Sequence, residues 1–330
     1  MMRDEQPAGG GSTTLRASVG VGVIGAGMMG TNHVRTLTSA VDGAHVAAVA
    51  DADPARAEAA AALGGGRAFA DPYALIADEA VDRVVVASFD ATHEEFVLAC
   101  IAAGKPVLCE KPLATTAEAC LRVIEAEVAA GRRLVSLGFM RRFDPAYEEL
   151  KDGLGQVGDP LLIHCAHRNA QAPAIYTSEM LITSSCVHEI DISRWLLGEE
   201  IVAATVRAPR STRQAPDGLV DPQLILLETA GGVLIDVEVF VNAKYGYDIR
   251  CELVGELGTV RLAEQVEPDF RARFATAYCR ELDCWVQGLT DGPSAWDGYA
   301  ANAVADACLA SLADGARAEV ELVDKPALYG

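Results

Sequence analysis

Hydrophobic and polar residues follow one rhythm before about residue 140 and another after it. From residue 18 to residue 139, short apolar runs such as SVGVGVI and VDRVVVAS are separated by amphipathic stretches of helical length. Strands that are apolar on both faces and alternate with helices are typical of a parallel sheet covered on both sides. The pattern therefore predicts an α/β domain with a doubly wound parallel sheet over residues 18–139.

From residue 140 to residue 330, strand-like runs such as PLLIHCAHR, PQLILLETA and YDIRCELVGE follow one another. The segments TAGGV and GELG are typical of hairpin turns. This half predicts an α+β domain with a large, mainly antiparallel open sheet. The apolar run LIDVEVFV on an open face would need burial, so we expect a homo-oligomer. Helices are expected at about residues 187–197, 274–289 and 297–314.

Composition and charge narrow the class of protein. The net charge of −20 over 330 residues argues against binding nucleic acid or an anionic membrane surface, and no apolar run reaches transmembrane length. Residues 1–17 are polar and Gly/Ser-rich, lack the apolar core of a signal peptide, and predict a disordered tail. Nine scattered cysteines without a Cys-x-x-Cys pair are typical of buried thiols in a reducing compartment. We expect a cytoplasmic protein that handles small molecules.

A glycine-rich turn, GVIGAGMMG, lies between the first predicted strand and the first predicted helix. Gly25 permits the tight turn, Gly27 allows close approach of a pyrophosphate, and Gly30 allows the helix to pack on the strand. Met28 and Met29 begin the helix, whose free N–H groups favour phosphates. This context predicts a Rossmann dinucleotide-binding domain.

The next strand ends at Asp51, 21 residues after Gly30. A carboxylate there can accept hydrogen bonds from the adenosine ribose and would repel a 2′-phosphate, which favours NAD over NADP. Asp53 is the competing candidate, but its place before Pro54 favours a helix N-cap.

Further along, four residues are predicted to lie near the cofactor. Lys111, preceded by Glu110, follows a strand and should face the ligand crevice, although a surface turn is the alternative. Ser88 follows another buried strand, and His93 begins the next helix. His93 is as consistent with a positioning role as with a cofactor contact.

The motifs together resemble the Gfo/Idh/MocA family of sugar and cyclitol oxidoreductases. The segments CEKPLATTAE, GFMRRFD, IHCAHRN and KYGYDI are most similar to the bacterial inositol 2-dehydrogenases of that family, and the resemblance spans about residues 19–325. It implies that a ring alcohol loses a hydride to NAD and a proton to His188, while Lys111 stabilises negative charge on the oxygen. It also implies a homotetramer.

Matching positions predict contacts to a polyol or cyclitol substrate at Arg141, Asn169, Tyr245 and Tyr247. Each side chain can hydrogen-bond hydroxyl groups. The alternatives are a solvated basic pair for Arg141 and its neighbour Arg142, and simple packing for the tyrosines, which as strand residues would share one face.

His164 and His167 flank Cys165, but a strand would place the two histidines on opposite faces. That argues against a metal, and no metal site is predicted.

One position departs from the family pattern. Four residues before the histidine, the inositol dehydrogenases carry an aspartate that pairs with it, whereas this chain has Ser184. Helical spacing would align Ser184, His188 and Asp191 on one face, which makes Asp191 a possible substitute partner and both it and Ser184 predicted substrate-side residues. An N-cap by Ser184 or Ser185 is equally consistent. Without the aspartate, the pKa of His188 should be lower, and activity should reach its plateau from a lower pH.

Two other functions stay open on the sequence alone. An aminocyclitol or modified-sugar dehydrogenase would use the same machinery with a changed pocket around Ser184. A non-catalytic NAD-binding sensor of the same fold is the other, although the presence of both Lys111 and His188 argues against it.

Overall fold

The computed structural model describes residues 18–289 and 291–330, so the predicted disordered tail, residues 1–17, lies outside the described residues. The first half forms a six-stranded, entirely parallel sheet in the order β3-β2-β1-β4-β5-β6. Its strands are β1 (Val19–Ile24), β2 (Ala44–Ala50), β3 (Arg67–Phe69), β4 (Arg83–Val86), β5 (Val107–Cys109) and β6 (Val135–Leu137). Its helices are α1 (Met28–Ser39), α2 (Pro54–Gly64), α3 (Pro72–Ala77), α4 (His93–Ala102) and α5 (Ala117–Ala130).

The strand order confirms the doubly wound prediction. The chain moves outward from β1 to β3 on one side and then returns to place β4, β5 and β6 on the other. The carboxyl ends of β1 and β4 therefore flank the point where the direction changes, which is where ligands bind in open α/β sheets.

The second half forms a larger sheet in the order β12-β11-β7-β10-β9-β8-β14, with β13 paired to β11. It is mainly antiparallel, as predicted, but β7 and β10 run parallel. Its strands are β7 (Pro160–Arg168), β8 (Ile201–Arg207), β9 (Gln223–Thr229), β10 (Leu234–Phe240), β11 (Tyr247–Gly255), β12 (Gly258–Arg261), β13 (Val266–Glu267) and β14 (Ala318–Glu319). The helices of this half are α6 (Pro145–Asp152), α7 (Val187–Leu197), α8 (Phe270–Arg273), α9 (Ala275–Val286) and α10 (Ala295–Asp314).

Helix α9 belongs to the second half of the chain but completes the core of the first. Leu282 and Trp285 of α9 are buried in one cluster with Val21, Val34 and Leu37. A hydrogen bond from the Leu137 N–H to the Pro293 carbonyl (3.0 Å) adds a second link. A boundary at residue 140 therefore divides the chain by sequence pattern, while the returning chain packs on the parallel sheet.

The large sheet has one covered face and one open face. Along β9, Ile225 and Leu227 are fully buried, whereas the intervening Leu224 and Leu226 are 45% and 37% exposed. Leu234 at the start of β10 is 38% exposed. Over the described ranges, no helix has the length and apolar character needed to cross a membrane.

Candidate active site

The glycine-rich turn leaves space at one of its three glycines. Gly25 has φ +94°, and a Cβ there would clash with Ala87, while a Cβ at Gly30 would clash with the Gly25 carbonyl. A Cβ at Gly27 would meet no described atom within 4 Å. Packing within the protein accounts for Gly25 and Gly30, whereas the open space at Gly27 fits a pyrophosphate. Helix α1 begins there without a capping side chain, so its first N–H groups are available to phosphate.

Asp51 is held at the end of β2 by backbone hydrogen bonds. Its carboxylate accepts from the N–H groups of Ala26 (2.7 Å) and Asp53 (2.8 Å). Nη2 of Arg56 also lies 3.1 Å from Oδ1 of Asp51, whereas Oδ2 retains a further lone pair that can accept a ribose hydroxyl. Asp53 caps α2 by accepting from the Ala55 N–H (3.0 Å), so the N-cap interpretation of that residue is confirmed.

Both ring nitrogens of His93 lie within hydrogen-bond distance of backbone carbonyl oxygens. Nδ1 lies 2.7 Å from the Pro112 oxygen, and Nε2 lies 3.2 Å from the Ser88 oxygen. The ring is 1% exposed and ties the segment after β4 to the segment after β5. This geometry favours the positioning role over a direct cofactor contact. Ser88 is half-buried, and its hydroxyl pairs with that of Thr92 (2.7 Å).

Glu110 is buried against a residue that the sequence analysis did not single out, His33 of α1. Nε2 of His33 lies 2.7 Å from Oε1 of Glu110, and Glu110 is 8% exposed. Burial alone would raise the pKa of Glu110, but the hydrogen bond and charge of His33, together with the charge of Lys111, outweigh it and lower that pKa. The hydrogen bond between Glu110 and His33 favours a positioning role for Glu110 over the predicted cofactor contact. The signal in the sequence was a histidine on the buried face of α1, one turn after Gly30.

Lys111 extends from the end of β5 toward the second half of the molecule. Its Nζ donates to the backbone oxygen of Ser184 (3.1 Å). Ser184 lies in a π-helical turn, Leu181–Cys186, that leads directly into α7. This contact places the lysine beside the helix that carries His188.

His188 sits in the first turn of α7 and is 8% exposed. Its ring stacks near His167 (centroids 6.3 Å apart) and meets the edge of Phe139 (6.1 Å). Among the described residues, Nδ1 has no hydrogen-bond partner. Burial, followed by the positive charges of Arg141, Lys111 and His167, holds the pKa of His188 well below its ordinary value. A neutral imidazole in this position can accept a proton.

Arg141 of MRRFD is buried and the side chain of Arg142 is only 10% exposed, so the interpretation as a solvated basic pair is wrong. Nη1 of Arg141 donates to Glu189 (2.5 Å), and its Nη2 lies 3.2 Å from Nδ1 of His167. Arg141 is 1% exposed. The charge of Arg141 also helps to lower the pKa of His188, which gives it a supporting role there. A direct substrate contact by Arg141 stays a prediction.

Asp191 is not a substitute partner for His188. Its carboxylate accepts from Nε (3.0 Å) and Nη2 (2.5 Å) of Arg142, and it is 1% exposed. Nη2 of Arg142 also donates to Asp297 of α10 (2.8 Å). The bidentate bond to Arg142 accounts for the pairing of Asp191 with that arginine rather than with the imidazole. A place for Asp191 on the substrate side stays a prediction.

The predicted N-cap at Ser184 or Ser185 is also wrong. Helix α7 has no side-chain cap, because the preceding residues continue as a π-helical turn. The turn before α7 is wider than an α-helical one, and a shared face of Ser184, His188 and Asp191 stays a prediction. Ser184 contributes its carbonyl to Lys111, and the hydroxyl of Ser185 pairs with that of Tyr176 (3.0 Å).

Tyr245 and Tyr247 do not share a strand face. Strand β11 begins at Tyr247, and Gly246 before it has φ +144°, so Tyr245 lies in the preceding turn. Tyr247 is 4% exposed and meets the edge of His167 (5.9 Å). Tyr245 is 54% exposed and donates to Asp248 (2.8 Å).

Asn169 lies half-buried directly after β7, and its backbone N–H donates to the Phe240 carbonyl (2.9 Å). His164 and His167 point to opposite faces of β7, as predicted: His164 is bonded to Asp236 on the exposed side, while His167 is 4% exposed. In the parts of the chain that the structure describes, no group of three or more potential ligands is arranged for a metal.

Comparison with known proteins identifies the family to which the chain belongs. Residues 19–139 match the family model described as the oxidoreductase family Gfo/Idh/MocA, NAD-binding Rossmann fold, and residues 153–261 match the Gfo/Idh/MocA C-terminal domain. The chain belongs to the Gfo/Idh/MocA family. As a member of that family, it is an oxidoreductase, and its cofactor is NAD.

Several relatives match this chain over nearly its whole length. It is 57% identical to inositol 2-dehydrogenase 1 of Saccharopolyspora erythraea, over 95% of this chain and 99% of the relative. It is 47% identical to inositol 2-dehydrogenase of Burkholderia cenocepacia, over 94% and 98%. The structure of myo-inositol dehydrogenase from Lactobacillus casei in complex with NAD(H) and myo-inositol superposes with a TM-score of 0.90 at 36% identity, covering 94% of this chain and 99% of that one.

Proposed function

We propose that this protein is an NAD-dependent dehydrogenase that oxidises a ring secondary alcohol of a cyclitol, myo-inositol or a close relative, to the ketone. One observation carries the proposal. Lys111, at the sheet edge where the cofactor would bind, donates to the Ser184 carbonyl just before α7, and its charge acts on His188 of that helix. The names of the relatives at 47% and 57% identity support the substrate class.

The residues divide the chemistry between them. Neutral His188 accepts the hydroxyl proton, while the Lys111 ammonium stabilises the negative charge that develops on the same oxygen. NAD, when bound, accepts the hydride from the ring carbon. Gly27 and the start of α1 hold its pyrophosphate, and Asp51 holds the adenosine ribose. Loss of one proton and one hydride converts the alcohol into the ketone.

Further predicted substrate contacts lie around this pair. Asn169 follows β7, Tyr247 packs on His167, and Tyr245 presents an exposed ring with its hydroxyl on Asp248. Ser184 adds a neutral hydroxyl in the turn before α7. We propose that this polar, uncharged set recognises the ring hydroxyls.

The charge arrangement favours a neutral polyol over an aminocyclitol. Lys111 and Arg141 both act as cations on His188. The two carboxylates closest in sequence, Glu189 and Asp191, are neutralised by arginines. An ammonium group on the substrate would therefore meet repulsion near His188 without a carboxylate from these two residues to offset it.

The test is NAD reduction at 340 nm with myo-, scyllo- and D-chiro-inositol, glucose and scyllo-inosamine. We expect turnover of one or more inositols, weaker turnover of the amine, and a loss of about 10²–10⁴-fold in kcat for His188→Ala. Lys111→Met should lose activity on the same scale. Activity confined to the aminocyclitol or to glucose would overturn the substrate class, and NADH binding without turnover of any compound would support the non-catalytic sensor.

We also propose that the protein works as a homotetramer in the cytoplasm. The exposed leucines of β9 and β10 support burial of the open sheet face in an assembly. All nine cysteines are free and seven are buried, which fits a reducing compartment.

A further inference from the structure

A buried hydrogen-bonded pair of a histidine and a carboxylate connects two parts of the proposed active site that arrive from different elements. His33 is on α1, the helix whose start would receive the pyrophosphate, and is 0% exposed. Its Nε2 lies 2.7 Å from Oε1 of Glu110, the residue directly before Lys111. The pair thus joins α1, where the cofactor would bind, to Glu110, the residue directly before Lys111.

The surroundings leave this pair little freedom. The Glu110 N–H donates to the Val86 carbonyl of β4 (2.8 Å), which fixes the backbone of that residue. A Cβ at Gly138 would lie 3.0 Å from Oε2 of Glu110, so the carboxylate uses the room that this glycine leaves. The His33 ring also packs in a T-shaped arrangement with the ring of Tyr278 of α9 (centroids 6.1 Å apart, planes at 81°).

The pair matters for the reaction because His33 lies on the helix that begins at the cofactor site and Glu110 directly precedes Lys111. A bound cofactor is positioned by the start of α1, while the Lys111 ammonium is positioned by its own backbone and by the Ser184 carbonyl. Hydride transfer requires these two groups to be correctly placed relative to the same substrate carbon and oxygen. An error of about 1 Å in such a placement costs on the order of 10²-fold in rate.

We propose that His33 and Glu110 form a positioning pair that sets the place of Lys111 relative to bound NAD. The inference rests on the proposed function, because it assigns Lys111 to the reacting oxygen. The pair touches neither the substrate nor the reacting atoms. Its loss should therefore lower kcat while NADH binding, which depends on the glycine-rich turn and Asp51, is largely kept.

The first test uses variants that separate positioning from a lone buried charge. His33→Phe retains a ring but removes the hydrogen bond, and the double variant His33→Phe/Glu110→Met also removes the carboxylate that would be left unpaired. For both, we expect kcat to fall roughly 10- to 100-fold, with the dissociation constant for NADH, measured by fluorescence, within about threefold of wild type. Glu110→Gln keeps an oxygen that can bond to His33, so this single variant should retain most of the wild-type kcat.

A matched control is available on neighbouring α9. Glu281 is a buried carboxyl, 1% exposed, and is not bonded to His33. Glu281→Gln should leave kcat within about twofold of wild type. If the wild type is active and the kcat values of the His33 variants lie within about twofold of the wild-type value, the positioning role of the pair is overturned. Absence of turnover in the wild type would instead count against the proposed function.

The second test needs no turnover. Amide hydrogen exchange is measured with and without NADH in the wild type and in the double variant. In the wild type, NADH should slow exchange both at the turn around Gly27 and in residues 107–113. In the variant, protection should remain at the turn and be lost in 107–113; protection of both segments in the variant would overturn the proposal.

Discussion

At the scale of single residues, the protonation of His188 is governed by cations and burial. This chain has Ser184 where the family resemblance implies an aspartate, and the nearest acids in sequence, Glu189 and Asp191, are bound to Arg141 and Arg142. Burial and the charges of Arg141, Lys111 and His167 hold the pKa of the imidazole well below its ordinary value. A pKa lower than that of aspartate-bearing relatives stays a prediction. A base that remains neutral in mildly acidic solution should keep working there.

The pH dependence can be shifted by one substitution. Only neutral His188 can accept the proton, so kcat/KM should fall as the pH drops through its pKa. Ser184→Asp places an anion near the ring, favours the imidazolium, and should move the acidic limb of the pH profile upward by roughly one to three pH units. The measurement is kcat/KM for the preferred cyclitol between pH 5 and pH 9, taken at about constant ionic strength.

Ser184→Asn is the matched control, because it adds a side chain of similar size without the charge. Its acidic limb should stay where that of the wild type lies. Coinciding profiles for the aspartate and asparagine variants would show that residue 184 does not sense the charge of His188.

At the scale of elements, α7 is docked by two adjacent arginines that come from the turn after β6. Arg141 binds Glu189, and Arg142 binds both Asp191 and Asp297 of α10. Arg194, near the end of α7, adds bonds to Glu200 (2.6 Å) and Asp297 (3.3 Å). These contacts, all within residues 140–330, hold the helix that carries His188 in place.

Removing one arginine of this network should be costly. Arg142→Leu would leave Asp191, 1% exposed, without its bidentate partner. We expect the free energy of unfolding in urea to fall by about 3–5 kcal/mol, because a buried charge left unpaired is strongly destabilising.

Arg280→Leu provides the comparison. Arg280 pairs with Glu148 at the surface, where the two side chains are 42% and 39% exposed. Its loss should change the free energy of unfolding by no more than about 1 kcal/mol. Equal effects of the two substitutions would mean that the buried network does not hold α7.

At the scale of the whole molecule, the open face of the large sheet is the surface that an assembly would cover. Leu224, Leu226 and Leu234 lie there, between 37% and 45% exposed. Charged side chains line the same region, including Arg168, which is paired with Glu238 (2.6 Å). An apolar centre with polar neighbours is the composition expected of a protein interface.

The oligomer prediction is tested by sedimentation. The wild type should sediment as a tetramer, and Leu226→Arg should yield a smaller species because a charge would be buried in the interface. Leu257→Arg, at a position 79% exposed in the turn between β11 and β12, should not change the assembly. A monomeric wild type would rule the tetramer out.

The sequence by itself determined the elements, the dinucleotide motif and the family. Strand and helix periodicities are local, and Gly25 needs its positive φ in any fold that makes this turn. The strand-end places of Asp51 and Lys111 follow from the same local pattern. These features are encoded within a few residues, so no knowledge of distant contacts is required to predict them.

Only the tertiary structure decided which polar groups are buried together. His33 meets Glu110 across 77 residues, and Lys111 meets Ser184 across 73. The burial of Arg141 and the pairing of Asp191 with Arg142 likewise depend on which charges lose water together when distant segments of the chain pack. A buried charge is stable only with a partner in reach, and that partner is chosen by the fold rather than by spacing along the chain.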